Sequence, residues 1–461
     1  MPTIERLLKS ERTSKTAIRA LVLSPTRELA SQTAAESVSL TAHSPGLRTA
    51  IVVGGNNAGG DRQRLAGQID ILIATPGRLK DHLQNMDGFA SRLRDVQVLI
   101  LDEGDQLLAA GFRPDIERIL SYCGTAVRQT LCFSATLPVE LNAVLKVALK
   151  PGHALVDCVG ADAPDTHASV EQTFAFIPMA AQLGALAAAI EAEQRADPLA
   201  KIIVFFATAR QTQFAAEALN ALGLPSLEIH SRKSQSKRDA AAAAFRAAPA
   251  SLMCSSDVSA RGVDYPDVTL VIQVGAPSSR EQYIHRLGRT GRAGKAGRGV
   301  LLLDPAEAFF IRLTSGLPIV QTTPAEVCRG PALDERRIAA AVDAVPRETK
   351  EQAYQAWLGY YNGVAGKMKW SKEQLVGAAN DMARDALRLP SPPALQASTV
   401  GKMGLCGTPG LVIAAKGDVR GGGQQHGNGN GNGSGSGRGA AHAGAPQQRA
   451  RPAPSRGGGR W

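Results

Sequence analysis

Short, almost wholly apolar runs alternate with amphipathic stretches between residues 17 and 304. The apolar runs are AIRALVLSPT, RTAIVVGG, DILIATPGR, VQVLILDEGD and QTLCFSAT, then KIIVFFAT, SLEIHS, SLMCSSD, VTLVIQVGAP and GRGVLLLD. Strands that are buried on both faces have this nearly continuous apolar character. Because most runs are followed by a helical pattern, as in residues 28–40 and 139–149, the sequence predicts an α/β fold of parallel sheets covered by helices.

Breaks in this pattern divide the chain into five parts. A stretch rich in Pro, Asp and Gly at residues 157–169 is typical of a linker between two lobes. Beyond Pro324 the periodicity is purely helical, and from Val419 onward the composition predicts disorder. The predicted domains are a first lobe at residues 1–158, a linker at 159–169, a second lobe at 170–322, a helical extension at 323–400 and a disordered Gly/Arg-rich tail at 401–461.

The net charge of +11 favours a polyanionic partner. The tail after Val419 holds six arginines and no acidic residue, so it supplies more than half of that charge. An Arg/Gly-rich segment suits sequence-tolerant contact with RNA. The alternative is a tail that only keeps the protein in solution.

Aromatic residues cluster in the predicted helical extension, although the chain has only six Tyr and three Trp. The cluster consists of Tyr354, Trp357, Tyr360, Tyr361 and Trp370. We interpret these side chains as the core of the extension. The alternative is that one of them stacks on an RNA base.

The cysteine pattern excludes two classes of protein. The six cysteines are scattered, without CxxC pairs or a nearby histidine cluster, at positions 123, 132, 158, 254, 328 and 406. This argues against a disulfide framework and a zinc site, and it indicates a reducing, intracellular compartment. No run of eighteen apolar residues is present, so no membrane partner is expected. A mitochondrial, plastid or nuclear location stays open, since a targeting segment would lie upstream of Met1.

One apolar run, VLILDEGD, ends in the three acids Asp102, Glu103 and Asp105. Ligands of open parallel sheets bind at the carboxyl ends of strands, so these carboxylates are placed for a metal-bound nucleotide. Mg²⁺ prefers such oxygen ligands, and a neighbouring acid can position an attacking water. Taken alone, an acidic strand end is more often a surface turn.

Several other strand ends carry residues suited to phosphate binding. SPTRELA and ATPGR each place Pro, Thr and Arg at a strand-to-helix turn, where helix amides and an arginine can hold a phosphate. In ATPGR we expect Thr75 to cap the helix, Pro76 to open it and Arg78 to point outward. VVGG ends in glycines that allow close backbone approach, and SAT offers two hydroxyls beside the acidic strand. Singly, each motif is also an ordinary cap or turn.

Together and in this order, the motifs resemble the DEAD-box ATP-dependent RNA helicase family of superfamily 2. The resemblance covers residues 18–303 and is carried by PTRELA, TPGR, SAT, ARGVD and HRLGRTGRAG. The motifs SAT and HRLGRTGRAG are typical of the RNA rather than the DNA branch. It implies two RecA-like lobes that unwind RNA locally by hydrolysing ATP between them, with ATP and Mg²⁺ as cofactors. The helical extension and tail resemble, more loosely, a subgroup with C-terminal RNA-tethering extensions.

The resemblance also implies roles for residues at the nucleotide. Asp102 holds Mg²⁺ through water, Glu103 orients the attacking water, and Arg289 and Arg292 are arginine fingers for the γ-phosphate. The implied catalytic residues are Asp102, Glu103, Asp105, Ser134, Thr136, His285, Arg289 and Arg292, and the implied nucleotide-binding residues are Gly262, Asp264, Asp102, Arg289 and Arg292.

Further roles follow from the same resemblance. Ser134 and Thr136 couple hydrolysis to strand separation, with Asp105 bridging toward them. His285 links back to the acidic motif, and Arg286 makes structural bonds within its own lobe. RNA is contacted through phosphate and sugar, independently of base sequence. The implied RNA contacts are Pro25, Thr26, Arg27, Gly54, Gly55, Thr75, Gly77 and Arg78 in the first lobe, with Thr208, Gln235, Arg238 and Ser256 in the second.

The chain departs from the family pattern in three places. Gly104 replaces the usual alanine of the acidic motif, which we expect to alter backbone stiffness more than chemistry, and Ser256 replaces threonine but keeps the hydroxyl. More seriously, the sequence has no GxxxxGK[ST] loop to hold the nucleotide phosphates. In the family this loop precedes the helix that IERLLK ends, so we expect it upstream of Met1.

Two interpretations of the missing loop stay open. The first is an N-terminally truncated form of an active RNA helicase, whose 461 residues alone are inactive as an ATPase. The alternative is an ATPase-deficient RNA-binding or annealing protein derived from such a helicase.

Overall fold

Each predicted apolar run forms a parallel strand. A computed structural model describes residues 1–55, 58–109, 111–124, 128–135, 141–158, 170–259, 262–329 and 333–414. Thr136, the predicted linker at 159–169 and the tail from 415 lie outside the described residues. The strands of the first lobe are β1 Ala20–Leu23, β2 Thr49–Val52, β3 Ile71–Ala74, β4 Val98–Leu101 and β5 Gln129–Cys132.

The first lobe is a five-stranded sheet in the order β2-β3-β1-β4-β5. Leu21 of β1 pairs with Leu72 on one side and Leu99 on the other, and all three are fully buried. The central strands are apolar throughout because helices cover both faces of the sheet. The helices of this lobe are α1 Pro2–Lys9, α2 Arg27–Leu40, α3 Ala58–Ala66, α4 Pro76–Asn85, α5 Gly104–Ala109, α6 Arg113–Leu120 and α7 Leu141–Ala148.

The second lobe is a seven-stranded sheet in the order β12-β6-β11-β10-β7-β9-β8. Its strands are β6 Val170–Phe176, β7 Lys201–Phe206, β8 Ser226–Ile229, β9 Ser251–Ser255, β10 Leu270–Val274, β11 Gly297–Leu303 and β12 Ile319–Gln321. Its helices are α8 Met179–Ala196, α9 Ala209–Ala221, α10 Gln235–Ala247, α11 Arg280–Leu287 and α12 Phe309–Leu313. Strands β6 and β12 have no counterpart among the predicted runs, because polar residues interrupt the first and the second has only three residues.

The helical extension packs on α9 of the second lobe. Its helices are α13 Pro324–Cys328, α14 Glu335–Ala344, α15 Arg347–Met368, α16 Lys372–Asp381 and α17 Ala397–Lys402, with a π-helical turn at Met382–Ala386. Trp357 and Tyr354 of α15 are buried in one cluster with Phe214 of α9. Ordered packing continues past the predicted boundary at 400, because Leu405 is fully buried and Leu395 pairs with Ile413. None of the helices in the described ranges is both long and apolar enough to cross a membrane.

Candidate functional site between the two lobes

The three acids follow the carboxyl end of β4 in the first sheet. The amide of Asp102 donates to the carbonyl of Leu23 (3.0 Å), and the amide of Gly104 donates to the carbonyl of Phe133 (2.9 Å). Between them Glu103 adopts a left-handed backbone (φ 52°), which turns the chain sharply into α5. Burial and, to a smaller extent, the charge of Glu103 raise the pKa of Asp102 to about 6. A cation at this turn would offset both causes.

The acidic turn contacts the second lobe through a histidine. Nε2 of His285 lies 3.0 Å from Oδ2 of Asp105, and both side chains are buried. The amide of Asp105 donates to Oγ of Ser134 (3.2 Å), so the first hydroxyl of SAT lies beside the acidic motif. Glu103, Asp105 and His285 each offer a ligand atom within 4.8 Å of the others. Oε2 of Glu103 is buried and has no hydrogen-bond partner among the described residues.

Helix α11 carries His285 and holds Arg286 inside its own lobe. Ser279 caps the helix by accepting from the amide of Gln282 (3.2 Å). Arg286 is 1% exposed, and its Nε donates to Asp257 (2.7 Å). Arg286 therefore makes structural bonds within its lobe, as predicted.

Arg289 and Arg292, the predicted arginine fingers, bond within the second lobe in this structure. Arg289 donates to the carbonyls of Val263 and of His285, the latter at 3.2 Å from Nε. Burial and the charge of Arg292 lower the pKa of Arg289 to about 9, and the charge of Glu103 in the first lobe acts in the opposite direction. Nη1 of Arg292 pairs with Asp264. Arg289 thus lies within electrostatic reach of Glu103 across the lobes, and the role of both arginines at a phosphate stays a prediction.

One face of α2 forms the second contact between the lobes. Glu28 Oε1 accepts from Nη1 of Arg238 (2.9 Å), and both side chains are buried. Gln32 Oε1 accepts from the amide of Asp264 (2.7 Å). Gly262 has φ +63° and lies against Leu29, where an added Cβ would stand 2.4 Å from a leucine methyl. Glycine is favoured there because the backbone is left-handed and a side chain would require Leu29 to move.

The predicted RNA contacts of the second lobe are buried or make hydrogen bonds within the protein. Arg238 was predicted to contact RNA; its guanidinium is buried and pairs with Glu28 of the first lobe, so its contact with RNA stays a prediction. Gln235 donates to Asp239 (2.9 Å) and accepts from Arg238. Thr208 caps α9 by accepting from the amide of Gln211 (3.2 Å). Ser256, the remaining predicted contact in this lobe, is buried directly after β9.

In the first lobe, Arg27 lies over the glycine pair. A Cβ at Gly54 would stand 2.9 Å from Nη2 of Arg27, and one at Gly55 (φ +86°) would stand 2.3 Å from Nη1. Burial and the charge of Arg238 lower the pKa of Arg27. Thr26 caps α2 by accepting from the amide of Leu29 (3.2 Å). Pro25 is buried just before this cap.

Two expectations for the TPGR turn were wrong. Pro76 opens α4 as predicted and Thr75 occupies the cap position, but its side chain makes no capping hydrogen bond. Arg78 was predicted to point outward, yet its Nη2 donates to Oδ2 of Asp61 (2.9 Å). Asp61 is buried and attracts Arg78 because an unpaired buried carboxylate is costly. Gly77 follows Pro76 in the helix, and a Cβ there would lie 3.5 Å from a carboxylate oxygen of Asp115.

Comparisons with known proteins agree with this arrangement. The family model for the DEAD/DEAH box helicase matches residues 1–144, and the model for the helicase conserved C-terminal domain matches residues 184–294. DEAD-box ATP-dependent RNA helicase 31 of Oryza sativa subsp. japonica is 45% identical over 400 residues, covering 86% of this chain and 71% of that protein. The chain belongs to the DEAD-box helicase family.

Other members of the family are longer than this chain. DEAD-box ATP-dependent RNA helicase 31 of Arabidopsis thaliana is 44% identical over 421 residues, which are 89% of this chain and 57% of that protein. DEAD-box ATP-dependent RNA helicase 26 of the same plant is 43% identical, with 48% of its length covered. The chain thus spans about half the length of these two relatives.

A solved DEAD-box structure shares the fold of both lobes and the extension. Mss116p bound to single-stranded RNA and AMP-PNP superposes with a TM-score of 0.76 and 26% identity, over 90% of this chain and 85% of that one. This match confirms the predicted fold of two parallel-sheet lobes followed by a helical region.

Proposed function

We propose that this DEAD-box chain carries the RNA- and ATP-handling core of an RNA helicase that remodels RNA locally by ATP hydrolysis between its lobes. The observation that carries the proposal is the buried contact between His285 and Asp105 (3.0 Å), which joins the acidic strand end to the arginine-bearing helix. The relatives' names, which call them ATP-dependent RNA helicases, support the same function.

The residues at the acidic turn fit a metal-bound nucleotide. Carboxylate oxygens are the ligands of Mg²⁺, and Glu103 keeps a buried oxygen without a hydrogen-bond partner among the described residues. We propose that Asp102 holds the ion through water and that Glu103 orients the attacking water, while Arg289 and Arg292 face the terminal phosphate. Bound Mg²⁺ supplies charge neutralisation for phosphoryl transfer. Asp264, whose amide donates to Gln32 of the first lobe, is the candidate for ribose.

The 461 residues contain no GxxxxGK[ST] sequence, and this limits what they do alone. In phosphate loops the backbone amides and lysine hold the β- and γ-phosphates, and phosphoryl transfer depends on such positioning. We propose that these residues bind RNA by themselves and that RNA-stimulated ATP turnover needs a phosphate loop in addition. RNA binding without any turnover, even with a loop supplied, would favour the annealing alternative.

RNA binding is tested by measuring the affinity of the chain for several unrelated single-stranded RNAs. We expect similar affinities that fall steeply with salt, because the candidate contacts at Arg27, Gly54 and Gly55 suit phosphate and sugar rather than bases. Tight binding confined to one RNA sequence would contradict the proposal.

A further inference from the structure

The helical extension touches the loop that leads into α11. Residues 275–279 connect β10 to α11, and two adjacent tyrosines of α15 reach this loop. The hydroxyl of Tyr360 donates to the carbonyl of Ala276 (2.6 Å). The hydroxyl of Tyr361 donates to the carboxylate of Glu307, which lies just after β11. Neither contact belongs to the nucleotide or RNA residues described above.

Glu307 connects Tyr361 to the same loop residue. Its Oε1 accepts from the amide of Ala276 (2.7 Å), and its Oε2 accepts from the amide of Asp304 (2.8 Å). The side chain is 1% exposed, so the hydrogen bonds that it accepts replace water. Ala276 is therefore fixed through both of its backbone polar groups, its amide by Glu307 and its carbonyl by Tyr360.

The close approach depends on a glycine beside Ala276. Gly275 has φ +80°, and an added Cβ would lie 3.2 Å from Oη of Tyr361 and 3.5 Å from Oε1 of Glu307. Its amide donates to the carbonyl of Leu302 (2.9 Å), which ties the loop to β11 as well. The start of the loop is thus held by the sheet on one side and by the extension on the other.

Helix α11 leads from this loop to the contact between the lobes. α11 has eight residues, so about 12 Å separate its ends. Nε2 of Gln273 in β10 donates to the carbonyl of Tyr283 (3.2 Å), which keeps the helix against the sheet. Arg286 fastens the next turn to Asp257, and His285 meets Asp105 of the other lobe. Helix α11 is therefore the element that joins Ala276 to His285.

We propose that Tyr360 and Tyr361 are positioning residues, which hold Ala276 directly and through Glu307 so that α11 presents His285 to Asp105. The helical extension is then coupled to the nucleotide cleft, rather than serving only as an RNA tether. The inference rests on the proposed function for its consequence, since the coupled contact lies at the proposed ATP site. The coupling between the extension and His285 can be tested without measuring ATP turnover.

Hydrogen exchange of the full chain, read by mass spectrometry, tests the coupling in Tyr361→Phe and Tyr360→Phe. Tyr354→Phe is the matched control, because its hydroxyl lies on the same helix but donates to Asn380 within the extension (3.0 Å). For Tyr361→Phe we expect amides of residues 275–287 to exchange about tenfold faster, the effect of losing one hydrogen bond to a charged group. Amides of residues 103–107, in the other lobe, should also exchange faster.

The path through His285 is tested by a double variant. If the tyrosine acts through the histidine, Tyr361→Phe added to His285→Ala changes exchange at 103–107 no further than His285→Ala alone. The proposal is overturned if Tyr361→Phe and Tyr354→Phe have equal effects at both segments, or if 103–107 is unmoved. If Tyr361→Phe fails to fold, the same comparison with the half-buried Tyr360→Phe decides. Because no readout requires ATP, failure here is distinguishable from failure of the proposed function.

Discussion

Asp102 combines burial with a neighbouring like charge, and both raise its pKa, to about 6. Its folded-state pKa lies above the unfolded value of 3.8, so the folded protein holds this proton more tightly. The resulting stabilisation is fully present below about pH 4 and is lost as the pH rises through 6. A divalent cation needs the deprotonated carboxylate, so stabilisation by Mg²⁺ should appear only above that range.

We predict that Asp102→Asn raises the free energy of unfolding at pH 7.5, without divalent cations, by up to about 3 kcal/mol. The variant should also lose the rise in melting temperature that Mg²⁺ gives the unmodified chain at pH 7.5 but not at pH 4. Thermal unfolding with and without Mg²⁺ measures both effects. Asp87→Asn, at an exposed position, is the control and should change neither. A Mg²⁺ response that survives Asp102→Asn would remove Asp102 from the metal site.

Arg27 is the arginine of the first lobe best placed for RNA. We predict that Arg27→Ala weakens affinity for single-stranded RNA by about tenfold, because one charge-assisted phosphate contact is worth roughly 1.5–3 kcal/mol. Arg48→Ala is a matched control: it precedes β2, at the opposite end of the sheet, and its side chain is exposed. Equal losses for the two variants would show that only net charge matters.

Arginines also show where sequence reasoning reaches its limit. Arg27, Arg78 and Arg238 all stand in motifs that predict anion contact, yet two of them are paired with Asp61 and Glu28. Position in a motif is visible in the sequence. The partner is set by which helices meet in three dimensions, 17 residues away for Arg78 and in the other lobe for Arg238.

At the scale of elements, the extension packs on α8 and α9 of the second lobe and bonds to the loop that leads into α11. Trp357 is 1% exposed and stacks on Tyr361 with ring centroids 4.1 Å apart, whereas Trp370 is only partly buried. The aromatic cluster was predicted as a core, and these contacts place Trp357 and Tyr361 within it. Strands were predicted equally well where the apolar run was continuous. Strand β6 was missed because its apolar and polar residues neither form one apolar run nor alternate regularly.

We predict that Trp357→Ala lowers the free energy of unfolding by about 3–5 kcal/mol, since it leaves a large cavity between α15 and α9. Trp370→Ala should cost clearly less, because part of that ring is already in water. Denaturant unfolding of both variants measures the difference. If Trp370→Ala instead weakens RNA affinity with stability unchanged, base stacking is the better interpretation of that residue.

For the whole molecule, charge is unevenly distributed, with six arginines after Val419. Deleting Val419–Trp461 should weaken RNA affinity and reduce the slope of log affinity against log salt by up to about four for single-stranded RNA. The melting temperature should stay the same, because this composition has little apolar surface to bury. A salt slope that is unchanged by the deletion would reject the tail as an RNA contact.

The central claim is that this chain holds a DEAD-box cleft whose turnover depends on a phosphate loop that the 461 residues lack. The direct measurement is ATP turnover with and without single-stranded RNA, on this chain and on the same chain preceded by the phosphate-loop segment of a relative. We predict no appreciable RNA-stimulated turnover by the first and clear stimulation of the second. In the second, Arg292→Ala should reduce turnover by about 10³- to 10⁵-fold while RNA binding without nucleotide is retained. Robust RNA-stimulated turnover by the 461 residues alone would contradict the account.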